Sequence, residues 1–431
     1  IFAVESAVNE LAHKMGMDPV KVKEMNMPVE GGPLPGYPDV PYAQSCSMDR
    51  CMARAKEMMD WDSKYPCRDM GNGKVRGVGV AMAMQGSSIA GVDVGGADIK
   101  LNEDGSYTLA LGCTDMGTGC DTVMAQIAAD CLNTPMDNIV VFSVDTDISP
   151  YDSGSYASAT TYTTGVAVMK ACEELKKKIC KLGAEMMEVD ERKVDFDGSC
   201  VFYDETLETD DGADGNAAGH MTEAEECYSV DMDAISSENA QKKVSLKDIA
   251  LKSTFFNNIE LQVVKQHSSP ISPPPFMVGM AEVEVDTETG SVDVLDYVAV
   301  VDCGTPINPN LARVQTEGGI AQGIGMALWE DVQYTDKGKI RNNSFMQYKI
   351  PTRQDIGNIR VDFECSYEKS GPFGAKSIGE LVIDTPCPAL AEAIYNATGV
   401  RLTELPMTPE KIAMEILKNR ESTRSGTKVE E

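Results

Sequence analysis

Apolar positions change their rhythm several times along this chain, and each change marks an element. Near the start, Val4, Val8, Leu11 and Met15 recur at helical spacing until Asp18–Pro19 breaks the run. After the Pro/Gly stretch MPVEGGPLPGYP, a second helix is expected over SMDRCMARAKEMMDWDSKY. From GKVRGVGVAMAMQ onward, short apolar runs separated by glycines read as strands. ADIKLNEDGSYTLALG alternates on both sides of Asp104–Gly105 and predicts a hairpin. It feeds the loop GCTDMGTG and a helix over CDTVMAQIAADCL. IVVFSVDTD predicts another strand, SPYDSGSYASATTYTTG leads into a long helix to about Glu188, and DFDGSCVFYDE predicts a further hairpin.

Residues 204–245 are acidic and poor in aromatics, the pattern of a surface insertion. Ordered patterning resumes at VSLKDIALKS, and AEVEVDTETGSVDVLDYVAVVDCG predicts a hairpin closed at Glu288–Gly290. NPNLARVQTEGGIAQGIGMALWE reads as a helix with glycines for close packing, and VQYTDKGKI as a hairpin. The last helix starts at TPEKIAMEIL, with Thr408 as its cap and Pro409 in its first position. Residues 419–431 read as a frayed tail. This order predicts an α+β fold of mixed sheets and packed helices in several lobes, not a doubly wound parallel sheet.

Composition narrows the function classes. A formal net charge of −30 opposes nucleic-acid binding, since phosphates would be repelled. No run approaches the ~18 apolar residues of a membrane span, and no signal-peptide pattern opens the chain, so a cytoplasmic protein is expected. It opens on Ile1, which suits a fragment or a processed chain. Thirteen cysteines without a CxxC pair read as free thiols. Cys46 and Cys51 have the first spacing of an iron–sulfur run, but Cys67 falls too far on to continue it. His13, His220 and His267 are all distant in sequence, so no His-rich metal site and no metal-ligating side chain is expected.

Three loops carry candidate chemistry. GCTDMGTGCDT, residues 112–122, leads from a strand into a helix whose free N–H groups favour an anion, although a plain turn would use the same residues. It has neither a Rossmann spacing nor a Walker lysine. SGSYASATTYTTG, residues 153–165, is dense in hydroxyls and nearly uncharged, suiting either a helix cap or a polar anionic cofactor. GPFGAKSIGE, residues 371–380, ends in Glu380, which could be a solvated charge, a cap acid or a general base. Apolar residues on both sides of Glu380 suggest a desolvated carboxylate.

Six blocks in one order resemble the xanthine dehydrogenase/aldehyde oxidase family of molybdenum hydroxylases. They are DMGTGCDTVMAQIAAD, DTDISPYDSGSYASATTYTTG, AEVEVDTETG, VDCGTPINPNLARVQTEGGIAQGIGMALWE, SFMQYKIPT and GPFGAKSIGE with its continuation to TPEKI. The opening FAVESAVNELAHKMGMDPVKVKEMN is similar as well. The resemblance implies the C-terminal half of a molybdopterin-binding subunit. Residues 1–68 would end the first half of the cofactor region, and residues 69–418 would form its second domain. It implies a molybdopterin cofactor, as the cytosine dinucleotide, whose molybdenum takes no side-chain ligand. Met116, Gly117, Thr118 and Gln315 would hold the pterin, and Ser155, Ser158, Thr160 and Thr161 the phosphates. Ala157 would lie beside the metal, Gly379 would contact the cofactor, and Glu380 would be the catalytic base.

Implied partners are the upstream half, a [2Fe–2S] subunit and an FAD subunit. Implied substrates are an N-heterocycle (a purine such as xanthine, or a nicotinate-like ring) or an aldehyde, oxidised with water-derived oxygen. A carbon monoxide dehydrogenase-type large subunit and a non-catalytic cofactor-holding subunit are the alternatives. A nucleotide-binding protein of unrelated fold is a third. The chain departs from the family at Gly117-Thr118-Gly119, where many relatives have Gly-Gln-Gly. It departs again at Ser158-Ala159-Thr160, where many bacterial relatives carry an arginine.

Overall fold

A computed structural model describes residues 1–37, 39–207, 243–257 and 259–425. The described helices are α1 (Phe2–Lys14), α2 (Pro19–Asn26), α3 (Met48–Met59), α4 (Trp61–Lys64), α5 (Cys120–Leu132), α6 (Gly165–Met187), α7 (Leu246–Lys252), α8 (Pro309–Leu328), α9 (Pro386–Thr398) and α10 (Pro409–Ser425). The strands are β1 (Cys67–Gly71), β2 (Lys74–Met84), β3 (Gly95–Leu101), β4 (Tyr107–Leu111), β5 (Ile139–Ser143), β6 (Val194–Phe196), β7 (Cys200–Tyr203), β8 (Lys243–Ser245), β9 (Gln262–His267), β10 (Phe276–Asp286), β11 (Val292–Asp302) and β12 (Asn358–Phe363). The fold is α+β. None of the described helices is long and apolar enough to cross a membrane.

The first lobe is a five-stranded sheet in the order β1-β2-β10-β11-β12, antiparallel except for the β11/β12 pair. Its central strands bury both faces, so they read as continuous apolar runs. Met277, Ala281, Val283 and Val285 of β10 join a core with residues of α8 and α9. Phe276, Val278 and Met280 join Met48, Met52, Ala55 and Met59 of α3 in another. The glycines of β2 seat α9. A Cβ on Gly77 would lie 2.2 Å from the Ala393 carbonyl oxygen, and one on Gly79 would lie 2.1 Å from that of Ala389. This close approach fixes the helix that follows Glu380.

The second lobe is a sheet in the order β5-β4-β3-β9, with the β4/β5 pair parallel. Its core joins Ile99, Leu109 and Leu111 to Met124 and Ile127 of α5 and to Val168, Cys172 and Leu175 of α6. A small sheet, β6-β7-β8, adds Val201 to that core.

Two expectations from the sequence, on α1 and on the chain's last helix, need correction. The apolar stripe of α1 faces outward: Val4, Leu11 and Met15 are 64%, 52% and 55% exposed, while Glu5, Asn9 and Ala12 are buried. The cause is the edge of β2, which runs on past the end of β1. Asn9 Nδ2 donates to the Val80 carbonyl at 3.2 Å, and the Met82 N–H donates to Glu5 Oε2 at 2.6 Å. Lys23, wholly buried, balances Glu5 at 2.8 Å. Unpaired edge groups need partners more than the helix needs an apolar face.

The expected hairpin VQYTDKGKI forms as a short one, with an antiparallel bridge between Tyr334 and Ile340 flanked by bonds from the Thr335 N–H to the Lys339 carbonyl at 2.8 Å and from the Arg341 N–H to the Gln333 carbonyl at 2.7 Å. At the chain's end α10 continues to Ser425, into the segment expected to fray. The acidic insertion expected over 204–245 falls mostly outside the described residues, but its last three residues are β8, paired with β7.

Candidate active site

Four segments meet where the two lobes join. They are the loop after β4, the hydroxyl loop before α6, the stretch from β11 into α8, and residues 371–380. Together they line a cleft of about 280 Å³. Of the residues singled out by sequence, Met116, Thr118, Ser155, Ser158, Thr160, Thr161, Gln315, Gly379 and Glu380 line it. Gly117 and Ala157 lie in the same loops but not in the lining. Apolar Val123, Ile307 and Leu311 complete the wall.

The hydroxyl loop is strained where it turns. Ala157 and Ser158 both take left-handed backbone, φ 44° and 58°, before a π-turn over Thr160–Thr164 opens α6. Consecutive non-glycine residues in that region cost energy that the surroundings must repay. Ser158 shows how. Its Oγ accepts from the Glu380 N–H at 2.9 Å and donates to Glu380 Oε2 at 3.1 Å. A Cβ on Gly379 would come 2.9 Å from that same Oγ, so a glycine suits the crossing point. Ser155 and Thr160 hydroxyls bond one another at 2.8 Å.

The loop before α5 behaves differently from the expectation of a free anion site. Asp115 Oδ1 accepts from the N–H groups of Gly117 at 2.9 Å and Gly119 at 3.1 Å. Burial alone would raise this carboxyl, but amide donors from Gly117, Gly119, Asp121 and Thr118 outweigh it and hold it below the usual carboxylate range. The protein thus supplies its own anion at this helix start. Among the described residues, Asp115, Cys120 and Asp121 bring three potential ligand atoms within 4.8 Å of one another, but Asp115 already serves those amides.

Loop 371–380 is folded over itself. A Cβ on Gly371 would lie 1.9 Å from the Ala375 carbonyl oxygen, and Phe373 and Gly374 both have positive φ. These two glycines serve the loop's own turn, and Gly379 is the one that faces the site. Beneath it lies a buried polar knot. Lys376 Nζ and Asp302 Oδ1, both wholly buried, sit 3.0 Å apart. The Lys376 ammonium also donates to the Ser45 carbonyl at 3.1 Å. Asp302 accepts from Ser366 Oγ at 2.7 Å and from the Ser47 N–H at 2.9 Å.

Glu380 itself is exposed at the mouth, so this chain does not supply the desolvation expected from its apolar neighbours. Its Oε2 also accepts from Gln85 Nε2 at 2.5 Å. Neither Gln85 nor Lys376 stands out in the sequence. The one available signal for Gln85 was a polar residue closing the apolar run of β2 just before Gly-Ser-Ser. Lys376 lay inside a motif, but nothing local marks a lysine as buried.

Residues 54–357 match the family model described as a molybdopterin cofactor-binding domain. The chain is 34% identical over 427 residues to the probable hypoxanthine oxidase XdhD of Escherichia coli K12, covering 95% of this chain and 40% of that protein. It is 30% identical over 421 residues to the putative xanthine dehydrogenase molybdenum-binding subunit XdhA of the same organism, covering 96% of this chain and 51% of that one. The chain therefore spans about half, or less, of the length of these relatives. In fold it is similar to quinoline 2-oxidoreductase from Pseudomonas putida 86, with a TM-score of 0.79 and 21% identity over 97% of this chain and 52% of that one. Carbon monoxide dehydrogenase from Oligotropha carboxidovorans gives a TM-score of 0.78 and 21% identity over 97% of this chain and 51% of that one. The chain belongs to the molybdopterin cofactor-binding family of the xanthine dehydrogenase-type molybdenum hydroxylases.

Proposed function

We propose that this chain holds a molybdopterin cofactor, as the cytosine dinucleotide, within a cytoplasmic molybdenum hydroxylase that oxidises an N-heterocycle, with an aldehyde as the less favoured substrate. The donor set suits such a group. Ser155, Thr160 and Thr161 give neutral hydroxyl groups in the loop that leads into α6, where the helix dipole favours phosphate, while the Ser158 hydroxyl proton goes to Glu380. Among the described residues, Lys376 is the basic residue of the lining, and its ammonium is spent on Asp302. An anionic cofactor would thus be held by hydroxyls and backbone, with buried Ala159 where many relatives carry an arginine. Met116, Gly117, Thr118 and Gln315 would hold the pterin, with Ala157 beside the metal and Gly379 against the cofactor.

When bound, the cofactor supplies the two-electron oxidation, and the electrons leave for [2Fe–2S] and FAD groups on partner chains. Glu380 receives the proton that the attacking oxygen must lose. Both of its hydrogen bonds from side chains fall on Oε2, so among the described residues Oε1 is the oxygen left to take that proton. The observation that carries this reading is the bond between Glu380 and Ser158, which ties the acid to the hydroxyl loop in one cleft.

The test uses the assembled enzyme. It should contain molybdenum, release cytidine monophosphate on acid hydrolysis, and oxidise hypoxanthine or nicotinate faster than benzaldehyde. Glu380→Gln should lower kcat by about 10²- to 10⁴-fold at unchanged molybdenum content. Wild-type turnover by that variant would refute the assignment.

A further inference from the structure

We infer that Gln85 is a positioning residue for Glu380, a role that rests on the base assignment made above. Besides the four segments that line the cleft, a fifth reaches Glu380, Gln85–Ser88, where β2 ends. It is pinned at points that do not involve the Gln85 side chain. The Ser377 N–H donates to Ser87 Oγ at 3.0 Å, and that hydroxyl donates to Ser377 Oγ at 3.1 Å. The Ser88 N–H donates to the Ala157 carbonyl at 3.0 Å. Ser87 and Ser377 are both buried. One short loop therefore grips the segment that carries Glu380 and the strained turn that carries Ser158. From this fixed base, Gln85 Nε2 reaches Glu380 Oε2 at 2.5 Å.

The other end of the same amide argues for function. Gln85 Oε1 is buried and has no hydrogen-bond partner among the described residues. A buried acceptor left unpaired costs stability, and an apolar side chain here would avoid that cost. With Gln85 and Ser158 both donating to Oε2, the carboxylate is held in one orientation and Oε1 is kept for the proton. Misplacing a reacting group by a fraction of an ångström to an ångström is enough to slow a positioned proton transfer severely.

Two variants test this, Gln85→Met, which removes the donor, and Gln85→Glu, which keeps the shape. Each is made in the assembled enzyme and in the same enzyme produced without molybdenum. In the cofactor-free form, the rate at which a water-soluble carbodiimide and an amine label Glu380 is followed by peptide mass spectrometry. Labelling of Glu380 in Gln85→Met should be about three- to tenfold faster, since one hydrogen bond no longer holds it. In the loaded enzyme kcat should fall about tenfold in both variants, with KM and molybdenum content unchanged and the Tm of Gln85→Met no lower than that of the wild type. Glu380 labelling at the wild-type rate in Gln85→Met, or wild-type kcat in both variants, overturns the proposal. Glu380→Gln separates the two claims: wild-type turnover there removes the base assignment, whereas the labelling rates report the Gln85 contact without reference to catalysis.

Discussion

Lys376, four residues before the end of the loop that delivers Glu380, lies wholly buried against Asp302 at the end of β11, which is wholly buried too. Two charges taken out of water are tolerated only when each finds its partner and its remaining hydrogen bonds, and here they do. The Ser47 N–H and Ser366 hydroxyl complete Asp302, and the Ser45 carbonyl and the Phe276 ring, 4.9 Å away, flank Lys376. Lys376→Met should destabilise the protein by about 3–5 kcal/mol, because it strands a buried carboxylate. A lower Tm for the single variant, partly restored in Lys376→Met/Asp302→Asn, is the expected result. Nothing local in GPFGAKSIGE distinguishes this lysine from a solvated one. Its burial follows from the strand and the loops that close over it.

At the scale of elements, the sequence was a good guide to where helices and strands lie and a poor one to which face of α1 is inside. β2, β10 and β11 were legible from their apolar runs, and the hairpin turns from Asp104–Gly105 and Glu288–Gly290. α1 was misjudged because a helical stripe reports amphipathicity, not the needs of the surface it lands on. The edge of β2 asked for polar partners, which Glu5 and Asn9 supply. Asn9→Leu should therefore cost about 1–3 kcal/mol by orphaning the Val80 carbonyl. Leu11→Ser, on the exposed side, should change stability by no more than about 0.5 kcal/mol. Thermal unfolding of the two variants reverses their order if the stripe is the buried face after all.

On the scale of the whole molecule, the cleft exists because two sheets with separate cores meet along their loops. Gly165 opens α6 in the second lobe and abuts the first. A Cβ there would lie 2.7 Å from Pro372 Cγ and 3.0 Å from Ile127 Cδ1. Gly165→Val should push the lobes apart, costing about 1–3 kcal/mol through overpacking. It should also lower molybdenum content per chain, read by elemental analysis, more than an overpacking change within one core does. Equal metal content in the two kinds of variant would show that the lobe junction does not govern cofactor retention.

The sequence alone determined the α+β class, most elements and their order, the family, and three of the segments around the cleft. Those features rest on local patterns and on motifs whose residues are contiguous. Only the tertiary structure decided that Glu380 bonds Ser158 and Gln85, 222 and 295 residues away. It alone showed that Asp115 occupies its own helix start and that the glycines of loop 371–380 serve mostly the loop itself. Each of these depends on which backbone groups are left unpaired once distant strands have met, and one-dimensional periodicity carries no record of that.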